Sequence, residues 1–265
     1  MYVDSHCHLS FPELAERLPE IRAAMAAADV DRALCICTTL EEFDRVHALA
    51  LGYDNFWCSA GVHPDNEDVM EPSVADLLVL AARPKVVAIG ETGLDYYRLG
   101  ERSVADMEWQ RERFRVHIRA ARQSGLPLVV HTRASADDTL ALLREEGLEG
   151  EGAPVRGVFH CFTETRSVAR RALELGFMIS FSGILTFRNA AELREVATEV
   201  PLERCLIETD SPYLAPAPHR GKTNNPSYVP LVAAELARLQ GRSVEEVAAA
   251  TSTNFDRLFG PKVLE

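Results

Sequence analysis

Eight short apolar runs, rich in β-branched residues, recur along this chain at a spacing of roughly 30 residues. They cover 2–6, 33–38, 56–61, 86–91, 128–131, 155–160, 177–181 and 205–208. Between and after them, 12–28, 104–124, 136–145, 167–175, 190–199, 229–240 and 244–259 carry helical periodicity. Strands alternating with helices predict parallel βαβ units, and eight in succession predict a closed (β/α)8 barrel. The competing architecture is an open doubly wound sheet. It usually places a glycine-rich phosphate loop after an early strand. Here the first run ends in His6-Cys7-His8, and there is no G-x-G-x-x-G. An α/β TIM barrel is therefore expected. With no low-complexity stretch or linker, it is expected to be one domain over residues 1–265. Ser124-Gly125, Gly147 and Gly176 are read as helix ends.

Composition narrows the function classes. At 265 residues and 47% hydrophobic, the chain can bury a full barrel core. The net charge of -12 argues against a broad basic face that coats nucleic acid. It leaves a nucleic-acid enzyme open, because bound divalent cations can supply local positive charge. Cys7, Cys35, Cys37, Cys58, Cys161 and Cys205 form no C-x-x-C pair and are expected to be reduced core thiols. The start of the chain lacks the basic-then-apolar pattern of a secretory signal, and no apolar run approaches the roughly 20 residues of a membrane span. A cytoplasmic protein without membrane contact, monomeric or weakly oligomeric, is the expectation.

The runs are apolar along their bodies and polar at their C-terminal ends, which a barrel gathers on one rim. His6 and His8 are two apart on a strand, so both face the same way. Two imidazoles converging on an interior need a reason, since burying them unpaired is costly. Glu91, His131, His160 and Asp210 hold the same relative position on the fourth, fifth, sixth and eighth runs. One such residue is usually a hydrogen-bonded structural group; together they point to metal. Several imidazoles with carboxylates suit Zn²⁺, Mn²⁺, Fe²⁺ or Ni²⁺ better than Ca²⁺. The six candidates exceed the needs of one tetrahedral ion, so two divalent ions are expected, with Mg²⁺ also admissible. A carboxylate such as Glu91 can bridge a pair with its two oxygens.

With these residues collected, the chain resembles the TatD-type metal-dependent hydrolases, a branch of the amidohydrolase-like barrels. The carrying segments run in order: Asp4-Ser5-His6-Cys7-His8-Leu9, Gly61-Val62-His63-Pro64, Gly90-Glu91-Thr92-Gly93-Leu94-Asp95-Tyr96, His131-Thr132-Arg133 and His160-Cys161-Phe162-Thr163. Phe181-Ser182-Gly183-Ile184, Glu208-Thr209-Asp210-Ser211-Pro212-Tyr213 and His219-Arg220-Gly221-Lys222-Thr223-Asn224 follow. The resemblance implies that His6, His8, Glu91 and Asp210 hold one ion and Glu91, His131 and His160 the other. It implies similarity to deoxyribonucleases, including 3′-5′ exonucleases. Three positions depart from the family pattern: Asp65, Glu164 and Asn225.

The expected chemistry is hydrolysis by a metal-activated hydroxide, with Glu91 and Asp210 as the catalytic carboxylates and Asp210 orienting the nucleophile and taking its proton. His63, Arg133, Arg220 and Lys222 are candidate substrate contacts, with Arg able to grip a phosphate bidentately. Glu208 is a candidate support for a ligand histidine or for Arg220. Tyr96, Tyr97, Phe162, Phe187 and Tyr213 are candidate stacking residues or packing. The substrate expected is DNA or another phosphodiester. The alternative is an amidohydrolase or lactonase acting on a small molecule. A non-catalytic barrel would leave the polar rim without purpose.

Overall fold

The chain is seen as a computed structural model that describes residues 1–148 and 154–260. Its eight strands are β1 (Tyr2–Cys7), β2 (Val30–Cys35), β3 (Phe56–Ala60), β4 (Val86–Asp95), β5 (Leu128–Arg133), β6 (Gly157–Phe159), β7 (Met178–Phe181) and β8 (Cys205–Ile207). They form one sheet in chain order, and each pairs in parallel with the next. The sheet closes between its first and last strands: Asp210 N–H donates to His6 O at 3.0 Å and His8 N–H to Ser211 O at 2.9 Å. The helices are α1 (Pro12–Ala15), α2 (Leu18–Ala27), α3 (Phe43–Leu51), α4 (Val74–Ala81), α5 (Glu108–Ser124), α6 (Ala136–Gly147), α7 (Arg166–Glu174), α8 (Ala191–Glu199), α9 (Val229–Gln240) and α10 (Val244–Phe259). This is the TIM barrel that the alternation predicted.

Two apolar layers follow. Val3, Leu34, Val87, Val129, Val158, Met178 and Leu206, from seven strands, form one buried cluster inside the barrel. Phe255, Leu258 and Phe259 of α10 close its N-terminal end. The larger cluster lies between the strands and the surrounding helices. With the bottom plugged, polar side chains at the strand ends can converge only at the other mouth.

Two bulges aim the polar residues. Between the pairs Asp4–Ala33 and Cys7–Cys35, β1 holds one residue more than β2. Val3 therefore faces the interior while Cys7, four residues on, packs in the outer layer. The extra residue flips the strand's phase and turns His6 and His8 inward. A second bulge, between Ile89–Leu128 and Thr92–Val130, falls at Gly90 and Glu91. Glycine is needed beside it: a Cβ on Gly93, at φ +137°, would sit 1.9 Å from the His131 carbonyl oxygen.

Some boundaries differ from the sequence reading. β2 starts at Val30, three residues early. The helix expected over 12–28 breaks before α2, where Pro19 at the start lacks an N–H and favours a new first turn. The first turn of the stretch expected over 104–124 is a 3-10 turn, Val104–Met107. α3 and α4 are additional, although the Ser73–Asp76 capping box marks α4 in the sequence. All six cysteines are free, and five are buried. Burial pushes the Cys37 and Cys205 thiols up to about 12, which leaves them unreactive. Among the described residues no helix is long and apolar enough to cross a membrane.

Candidate metal centre

Glu91 is the hub of the rim. It lies at the bulge of β4, is almost fully buried, and its N–H donates to Cys37 O at 3.0 Å. Its two oxygens face different neighbours. Oε2 is 3.3 Å from His6 Nε2 and 4.0 Å from His8 Nε2. Oε1 is 2.7 Å from His160 Nε2, and 3.3 Å from both His131 Nδ1 and His63 Nε2. Asp210 Oδ1 joins the first group, 3.6 Å from His6 Nε2 and 3.5 Å from His8 Nε2. The six expected ligands thus come together, in two groups that share one carboxylate.

His63 was expected at the substrate; it stands in the second group, close enough to Glu91 and His131 to share an ion with them. Asp95, inside a motif segment but assigned no role by sequence, is 2.9 Å from His131 Nε2 and fixes that ring. Glu208 sits beneath His160, with Oε1 3.3 Å from its Nδ1 and accepting Cys161 N–H at 2.8 Å. Ser180 donates to its other oxygen, and Ser5 lies 3.2 Å from Ser180. Of the two neighbours foreseen for Glu208, a candidate ligand histidine and Arg220, it contacts the histidine, His160.

The electrostatics fit a cation. Burial alone would raise the Glu91 carboxyl, but the imidazoles of His160, His63 and His6 outweigh it and hold it well below the usual range. Burial opposes charge on His160, yet Glu91 and Glu208 lift its pKa well above the ordinary value. Burial would likewise raise Asp210, but His8 and His6 keep it low and ionised. Among the described residues, buried His6 Nδ1 and Nε2, His8 Nδ1 and His160 Nε2 have no aligned hydrogen-bond partner. Unpartnered imidazole nitrogens around buried carboxylates are what a divalent cation would satisfy, so these residues fit a metal.

The centre opens into a cleft of about 660 Å³. Arg133 lines it, with its guanidinium 3.6 Å from the centre of the Tyr97 ring. Arg98 lines it too, 3.8 Å from Asp65, so that carboxylate meets a cation. Arg220 and Lys222 are exposed and lie outside the lining; Arg220 sits over Phe187 at 3.6 Å. Burial raises the Glu164 carboxyl above its usual range. Asn225 caps a short 3-10 turn by accepting Ser227 N–H at 3.1 Å. Of the aromatic candidates, Tyr96 and Phe162 are buried packing, whereas Tyr97 and Tyr213 are exposed.

Comparison with known proteins agrees with this geometry. The family profile described as TatD related DNase matches residues 3–260. The uncharacterized metal-dependent hydrolase YcfH of Escherichia coli (strain K12) is 50% identical over 261 residues, covering 97% of this chain and 95% of that protein. The 3'-5' ssDNA/RNA exonuclease TatD of Klebsiella pneumoniae (strain 342) is 34% identical over 263 residues, covering 97% of each. The crystal structure of YJJV, a TatD homologue from Escherichia coli K12, superposes with a TM-score of 0.88 at 30% identity, covering 97% of both chains. A histidine and carboxylate cluster at the open mouth of a TIM barrel, and relatives matched end to end, lead to one assignment: the chain belongs to the TatD-related DNase family and is a metal-dependent hydrolase.

Proposed function

We propose that this hydrolase cleaves phosphodiester bonds of nucleic acid, removing nucleotides from an end, with two divalent ions around Glu91. The observation that carries the reading is the division of the Glu91 oxygens between two groups of buried donors. His6, His8 and Asp210 with Glu91 would hold one ion; His131 and His160 with Glu91, and His63 beside them, would hold the other. When bound, the ions supply Lewis acidity, which lowers the pKa of water from 15.7 toward about 7 and offsets charge on the phosphoryl oxygens. Asp210 lines the cleft and is held ionised, so it can accept the proton of the attacking water. Arg133 and Arg98 line the same cleft and are the cations suited to a substrate phosphate. Asp95 and Glu208 keep the His131 and His160 rings oriented while the proton moves. The relative from Klebsiella pneumoniae, named as an exonuclease on single-stranded DNA and RNA, supports the substrate class.

The test is metal analysis joined to a substrate panel. The protein is stripped with a chelator, reloaded with Mg²⁺, Mn²⁺ or Zn²⁺, and offered single-stranded DNA, a simple phosphodiester, amides and lactones. The expected result is turnover of DNA that disappears on chelation and returns on reloading. Preference for an amide or a lactone over DNA would overturn the reading.

A further inference from the structure

The lining of the cleft divides by chemistry. Around His8 and Asp210, on the side of β1, β7 and β8, it carries the apolar or aromatic Phe11, Ile184, Tyr213 and Leu214. On the side of β4 and β5 it carries Arg98 and Arg133. In a barrel whose eight strands follow in chain order, β4 and β8 stand across the mouth from each other. We propose that Phe11 and Tyr213 form a nucleobase subsite, so that the substrate lies across the mouth with a base at this corner and a neighbouring phosphate at Arg133 and Arg98. The proposal rests on the nuclease reading above and names which part of the substrate each wall holds.

The corner is built, not incidental. The Phe11 ring stacks on His8, centroids 4.7 Å apart and 20° between planes, and Phe11 N–H donates to His8 O at 3.0 Å. Tyr213 stands nearly perpendicular to Phe11, at 6.4 Å and 75°. Its backbone is tied at both ends: Tyr213 N–H donates to Asp210 O at 3.0 Å, and the Asn224 amide donates to Tyr213 O at 2.6 Å. The segment is fixed to the candidate metal centre, yet Tyr213 is 55% exposed. An aromatic ring on a tied backbone beside a reaction centre, left open to solvent, gains free energy when a flat ring covers it. Two perpendicular rings offer a base one face to stack on and one to meet at its edge. Every base has such a π-face, so the subsite tolerates any sequence. Across the mouth, the Arg133 guanidinium is itself held over Tyr97, a cation in a set place. A cleft of about 660 Å³ has room for a ligand of nucleotide size.

The experiment compares oligonucleotides that carry every base with ones whose base is removed from either terminal nucleotide, in wild type, Tyr213→Ala and Tyr213→Phe, all metal-loaded. Wild type is expected to favour the base-bearing end by on the order of tenfold in kcat/KM, mostly through KM. Tyr213→Ala should bring that preference close to unity, whereas Tyr213→Phe, which keeps the ring, should retain it. Cleavage of DNA by wild type with no base preference, or a preference that survives Tyr213→Ala, overturns the subsite alone. Absence of metal-dependent cleavage of any oligonucleotide overturns the nuclease reading and the subsite with it.

Discussion

His6, His8 and Asp210 sit where the barrel closes on itself, and the main chain holds them there; His63 and His131 sit across the mouth, held from outside by α5. On the closing side, Asp210 N–H meets His6 O and His8 N–H meets Ser211 O. Asp4 accepts the N–H of His6 at 3.2 Å and of Thr209 at 2.9 Å. Asn224 donates to Thr209 O at 2.8 Å, which keeps the turn carrying Asp210 in place. On the far side, the Gln110 side chain accepts Asp95 N–H at 2.9 Å and donates to Pro64 O at 3.0 Å. Arg113 donates to His63 O at 2.8 Å, and Val62 N–H donates to His117 Nε2 at 3.0 Å. The exposure of these histidines follows the same division: the His6 and His8 side chains are 0% and 5% exposed, His63 and His131 19% and 18%. One half of the centre is set by closing the sheet. The other depends on a helix packing correctly against a loop and a strand end, and its histidines are the more exposed.

The largest effect should come from removing what the halves share. Glu91→Gln keeps the shape but takes the charge from the middle of five imidazoles. Turnover should fall by about 10³-fold or more, the loss of ~4 kcal/mol of stabilisation, and mass spectrometry should find both metal equivalents depleted. Depletion of one equivalent only would mean that Glu91 serves a single ion. Next in size is Asp95→Asn, which touches the α5 side alone. Metal titration should show one site weakened by about 10–100-fold, the usual consequence of losing the partner that orients a ligand histidine. The other site should keep its affinity. Equal weakening of both would break the distinction between the halves.

The closing half was the more legible in the sequence. The period-2 rule puts His6 and His8 on one face, and the barrel rim gathers them with Asp210, just past the end of β8. The phase flip at Asp4 to Cys7 was not legible, because a bulge is a property of the pairing and not of one strand. On the other half the candidate ligand His131 was readable, but its partner Asp95 lies at the very end of a strand that runs four residues further than the sequence reading. Gln110, Arg113 and His117 did leave a signal. Their spacing puts three polar side chains on one face of α5, and that face is buried. A buried polar stripe on a helix implies hydrogen-bond partners elsewhere in the chain, although it does not say which. Arg220 and Lys222 lie on a long loop, where sequence alone does not fix the direction of a side chain; Arg133 and Arg98, on and just beyond paired strands, line the cleft.

The last prediction probes the closing half alone, through stability and not turnover. Asp4 lies inside it, fully buried, and burial pushes its carboxyl up to about 8 despite hydrogen bonds from Thr209 and His6. In the unfolded chain the same group titrates near 3.9. Between those values the native protein keeps a proton that the unfolded chain has released. Stability of the metal-free protein should therefore fall as pH rises from about 4 to about 8, by up to about 1.4 kcal/mol per pH unit from this group. Asp4→Asn keeps acceptors for both backbone N–H groups and cannot ionise. Denaturant melts across the window, with chelator present, should give the variant the shallower decline and the greater stability at pH 8. A decline as steep as that of wild type would mean that Asp4 is already ionised in the native barrel. The closing half would then carry one more buried negative charge next to His6 than its burial alone allows.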